Sequence, residues 1–108
     1  MIDTNALLGN IQAGVEEILK GGTAQYTGQA SQDASDFIGK TKADITEWAQ
    51  QLADGKISKD DFDFLARGRL QDLAEMDALT QAGIAAATLD RIKLQIADFV
   101  IATIIKAV

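Results

Sequence analysis

From Tyr26 to Leu52 the chain places a small or apolar residue every three or four positions without a break, through Ala30, Ala34, Phe37, Thr41, Ile45 and Trp48. On a helical wheel these positions share an arc of about 100°, which is the stripe of an amphipathic α-helix. A helix over 27–53 is ~40 Å long at about 1.5 Å per residue. In a chain of 108 residues one rod of that length dominates the architecture, because its stripe has to be covered along its whole length. Gly39 lies nearly opposite the arc, so it marks no loop and costs up to ~1 kcal/mol relative to alanine.

The rest of the chain supplies covering helices. Leu7, Leu8, Ile11, Val15 and Ile18 predict a helix over 4–20, capped by Thr4 or Asn5 and stopped by Gly21-Gly22. A stripe through Phe62, Leu65, Ala66, Leu70, Leu73, Met76 and Leu79 predicts a third helix over 59–82. Leu89, Ile92, Ile96 and Phe99 predict a fourth over 88–107, whose face lies roughly 150° from that of the third on a common wheel. The change of face falls between Ala82 and Thr88, where Gly83 can close one helix and Thr88 can cap the next. The expected fold is an all-α antiparallel bundle of four helices forming a single domain over 1–108; the alternative has three helices, with 59–107 continuous and the chain elongated. Proline is absent and β-branched residues rarely alternate with polar ones, so no sheet is expected. Eighteen alanines against six aromatics suit closely spaced helices.

The segment Asp54-Gly55-Lys56-Ile57-Ser58-Lys59-Asp60-Asp61-Phe62 is the most informative turn. Gly55 stops the second helix, Ser58 caps the third, Asp61 can reach back to the cap, and Ile57 with Phe62 hold the two positions of a hydrophobic staple. The same residues look like the second half of an EF-hand calcium loop, with Asp61 in the twelfth position. The first half fails, since its first and third ligands would be Gln50 and Leu52, and leucine cannot ligate calcium.

Composition excludes several function classes. The net charge of -6, without a basic cluster free of neighbouring Asp, argues against nucleic acid. With no His and no Cys, the common nucleophile triads, zinc sites and histidine-bearing di-iron bundle motifs are closed. No glycine loop of a phosphate-binding kind occurs. The carboxylate pairs Glu16-Glu17, Asp44 with Glu47 and Asp72 with Glu75 read as solvated charge, with an all-carboxylate metal site as the alternative. Catalytic residues, cofactor and metal are therefore expected to be none. The N-terminus shows no basic region followed by an apolar block, so no signal peptide is visible, which favours a cytoplasmic setting.

One feature asks for a partner. Leu94 to Val108 is apolar almost all round, and such a helix is buried on several sides. The expectation is a non-catalytic structural or interaction protein that forms a homo-oligomer through Leu94, Phe99, Ile101, Ile104, Ile105 and Val108, or that docks a protein partner. The alternative is reversible binding to a lipid or membrane surface, against which the acidic balance weighs. No segment has the ~20 apolar residues of a transmembrane helix.

Overall fold

The long stripe forms the rod that its spacing requires. The computed structural model describes residues 3–22 and 26–108. In chain order these form α1 (Thr4–Gly22), α2 (Thr27–Ala53), α3 (Lys59–Leu73), α4 (Asp77–Gln81) and α5 (Ala86–Ala107), and among the described residues there is no strand. The all-α reading holds, with five helices among the described residues in place of four.

The four long helices form a ring in which α1 packs on α2, α2 on α3, α3 on α5, and α5 back on α1. Cross-helix partners step in opposite directions between α2 and α3, between α3 and α5, where Glu75 also feels the charge of Lys93, and between α1 and α5, and closure of the ring then sets α1 antiparallel to α2. Glu16 meets Ser31 between α1 and α2, Lys40 meets Glu75 and Asp44 meets Arg69 on the α2 and α3 side, and Arg67 meets Asp98 between α3 and α5. Gly14 faces Phe99 between α1 and α5, while Leu7 and Asn10 share a cleft with Thr103 and Lys106. Each adjacent pair is therefore antiparallel. The bundle measures 43 × 24 × 19 Å, its long axis set by α2.

Alanine permits the close approach. Ala30, Ala34, Ala49, Ala66 and Ala97 are buried among Ile11, Val15, Ile45, Leu70 and Ile96. Thr41, also buried, donates its hydroxyl to the Phe37 carbonyl at 2.8 Å, which satisfies the one polar atom it brings into the core.

Local chemistry sets most boundaries. At the end of α2, Gly55 has φ 71°, its N–H donates to the Leu52 carbonyl at 3.2 Å, and the Lys56 N–H donates to Gln51 at 2.9 Å. This is a Schellman closure. Ser58 then accepts the Asp61 N–H at 3.1 Å, and Ile57 packs against the core beside buried Phe62. A second Schellman closure ends α4: Gly83 has φ 94°, donates to Thr80 at 3.1 Å, and is followed by Ile84 donating to Leu79 at 3.3 Å. The turn near Gly83 is thus present, and α3 and α5 are separate helices.

Three boundary expectations are corrected. Asp3, not Thr4 or Asn5, caps α1, its carboxylate accepting the Ala6 N–H at 3.1 Å. Thr88 lies inside the first turn of α5, which starts at Ala86 after an extended Ala85, because the run of alanines sustains helix two residues earlier. The third helix does not reach 82. It ends at Leu73, and Met76 takes the left-handed conformation at φ 47° before α4 begins. Gly21 and Gly22 lie in the last turn of α1, and the stop expected of them falls on residues 23–25, outside the described residues.

No local signal accounts for the break at Met76; a distant carboxylate does. Asp33 of α2, only 4% exposed, accepts the Ala78 N–H at 3.0 Å and the Leu79 N–H at 2.9 Å. It acts as the N-cap of α4 from another helix, satisfying donors that the Met76 side chain cannot. The left-handed residue costs roughly 1–2 kcal/mol. Two charge-assisted hydrogen bonds and the burial of Met76 and Leu79 against the core offset it.

Candidate interaction surface

The outer face of α3 carries the most exposed large apolar side chain among the described residues, and its exposure follows from geometry. Phe62, Ala66 and Leu70 are buried at a spacing of four, and Phe62 is held against Trp48 of α2 at a ring separation of 5.9 Å in edge-on contact. That contact fixes the rotation of α3. Phe64 is two residues from Phe62, about 200° round the helix, so no rotation of α3 buries both. Phe64 is 82% exposed and Leu65, at the margin of the stripe, is 55% exposed.

Charged groups frame these two side chains. Arg67 pairs with Asp63 one turn before it at 3.1 Å, and it also pairs with Asp98 of α5. Both carboxylates hold the guanidinium's pKa above its already high value, Asp63 most. The arginine is thus a fixed strut between α3 and α5, beside Phe64. One turn before Asp98 on α5 stands Leu94, 50% exposed. A shallow groove along α3 is lined by Asp60, Asp63, Phe64, Arg67, Gly68 and Gln71. The space about Gly68 is open, so another backbone can come close there.

The residues expected to mediate self-association divide into three groups. Ile101 and Ile104 are buried in the chain's own core, because α5 is touched by α1, α2 and α3 and is covered on more sides than a four-helix count implied. Phe99 and Ile105 are half-buried and pack against the core, Phe99 with its ring over Gly14. Leu94 and Val108, the latter 42% exposed at the end of α5, remain open. Phe64 was missed because it falls off the stripe; its place about 200° from Phe62 on the same helix was the available signal.

Four of the six carboxylates weighed as metal ligands, Glu16, Asp44, Glu47 and Glu75, are engaged with protein donors. Glu16 accepts the Ser31 hydroxyl at 2.6 Å and pairs with Lys20 at 2.9 Å, and these, the hydroxyl first, hold its pKa below the ordinary value. Glu75 is lowered by its hydrogen bond from Lys40 at 2.6 Å, which in turn raises the lysine. Asp44 faces Arg69 at 3.4 Å and Glu47 accepts from Gln51 at 3.2 Å. Among the described residues no three acidic side chains converge on one point. The crevice under the Met76 break, lined by Asp33, Lys40 and Glu75, encloses ≈ 10 Å³, room for about one water. Among the described residues no helix is long and apolar enough to cross a membrane. Comparison with known protein families, curated proteins and solved structures finds no match to this chain.

Proposed function

We propose that this chain is a non-catalytic interaction module that self-associates through the outer face of α3, with Leu94 of α5 at its edge. The observation that carries the reading is Phe64. A phenylalanine exposed over four-fifths of its surface, with an exposed leucine next to it, costs solubility unless another surface covers it. Burying a side chain of this size is worth roughly 1.5–3 kcal/mol. In a symmetric pair each contact occurs twice, and two-fold pairs are the commonest assembly of identical chains.

Mixed charge around the patch supports a protein surface over a lipid one. Asp60, Asp61 and Asp63 lie beside Phe64 and would be repelled by anionic headgroups, whereas a second copy presents Arg67 as well as carboxylates on this face.

Sedimentation equilibrium of the wild-type chain and of Phe64→Glu tests it. The expected result is a dimer mass that dissociates on dilution in the wild type and a monomer in the variant, with unchanged far-ultraviolet circular dichroism. A monomeric wild type that binds neutral or anionic vesicles instead would favour the lipid reading and remove this one.

A further inference from the structure

The break between α3 and α4 is held by one side chain from elsewhere in the fold. Between Leu73 and Ala86 there is no proline, and Gly83 is the only glycine. Residues 74–82 read Ala-Glu-Met-Asp-Ala-Leu-Thr-Gln-Ala and 85–87 are alanines, a composition that favours unbroken helix. The chain nevertheless bends twice here, at Met76 with φ 47° and at Gly83 with φ 94°. Methionine has no intrinsic preference for that conformation. What keeps it there is Asp33, whose carboxylate holds the Ala78 and Leu79 N–H groups. In an unbroken helix both N–H groups would bond to carbonyls four residues back, and the aspartate would lose its partners.

We propose that residues 74–85 are a hinge latched by Asp33, and that release of the latch joins α3, α4 and α5 into one helix that seats α5 on a second copy of the chain. Short, strained hinges between packed elements are where identical chains exchange parts. Two features favour an exchanged dimer over a disordered chain. First, the apolar faces of α3 and α5 lie roughly 150° apart on a common wheel, so a continuous helix offers one face to its own bundle and the other to a neighbour. Second, α5 contributes Ile92, Ile96, Val100 and Ile104 to the core, a surface that cannot stay in water once the hinge opens. The partner's vacated groove between α1 and α3 has the matching shape. The inference does not rest on the outer face of α3.

The test uses the full chain in the Phe64→Glu background, where association through the outer face is removed. Asp33→Ala removes the latch, and Gly83→Ala independently disfavours the second bend, in a position where the added methyl meets nothing. Each variant is refolded at high concentration and its mass measured by light scattering. Because the chain has no cysteine, Gln71→Cys and Gln95→Cys can carry a pair of spin labels, diluted with unlabelled chain so that each dimer holds one labelled copy. In the closed hairpin the two sites sit on adjacent helices, axes about 10 Å apart. On a continuous helix they are ~36 Å apart at about 1.5 Å per residue. A twofold rise in mass with the long distance in both variants supports the proposal. Should Asp33→Ala fail to fold, Gly83→Ala alone decides. A monomer with the short distance, or a dimer that keeps the short distance, overturns it.

Discussion

Gly14→Ala and Gly39→Ala are the same substitution in the middle of two helices, and the structure predicts opposite outcomes. Replacing an interior helical glycine by alanine contributes up to ~1 kcal/mol through propensity and reduced freedom of the unfolded chain. At Gly39 nothing meets the new methyl, so about 0.5–1 kcal/mol of stabilisation is expected. At Gly14 the methyl would overlap the far edge of the Phe99 ring and lie 2.8 Å from Cε1. The ring is packed against the core and has to move, a displacement that costs about 1–3 kcal/mol in overpacked sites. Subtracting the propensity gain leaves Gly14→Ala destabilising by roughly 1 kcal/mol, or about 5 °C in melting temperature for a domain of this size. The two variants should therefore differ by ~2 kcal/mol. Urea unfolding followed by tryptophan fluorescence and circular dichroism measures both. In a Phe99→Ala background the clash is gone, so Gly14→Ala should become mildly stabilising, with a coupling energy of ~2 kcal/mol. If Gly14→Ala stabilises the wild type as much as Gly39→Ala does, the proposed seating of Phe99 on α1 is wrong.

Other expectations follow from single contacts. Ser58→Ala removes the cap of α3 and should cost about 1 kcal/mol by urea unfolding, while Ser58→Asp should retain most of it. Asp33→Asn keeps one acceptor for two N–H groups and should fall between wild type and Asp33→Ala in stability, as judged from urea midpoints. Glu16 and Glu75 have folded pKa values below the ordinary 4.5, so the stability they contribute is present above that value and is lost as pH falls through the lowered ones. The drop in urea midpoint between neutral pH and about pH 3 should be smaller in Glu16→Gln/Glu75→Gln than in the wild type; an equal drop would show that these pairs do not stabilise the fold.

Much of this fold was legible because it is written locally. The stripe of α2, the Gly55 stop, the Ser58 cap and the Gly83 closure each lie within a few residues of the groups that enforce them. The break at Met76 was not legible, since the group that enforces it sits on α2, 45 residues from the Ala78 N–H it holds, and an aspartate in a helical stretch gives no sign of what it will cap. All-round apolarity of α5 correctly signalled burial on several sides. It did not reveal that α1, α2 and α3 cover Ile101 and Ile104 within one chain, because that depends on the short α4 folding α5 back. Phe64 escaped notice for the converse reason: a wheel identifies residues that share a face, and an apolar residue outside the shared face carries no periodic signal.

The proposed self-association through the outer face of α3 is tested most directly by paramagnetic broadening between two differently prepared copies. A chain labelled with a nitroxide at Gly68→Cys, where the added side chain has open space, is mixed with an isotope-labelled wild-type chain. The account predicts broadening on the isotope-labelled copy confined to amides of α3 and the neighbouring stretch of α5 around Leu94. No broadening at high concentration, or broadening centred on α1 or the outer side of α2, would contradict it.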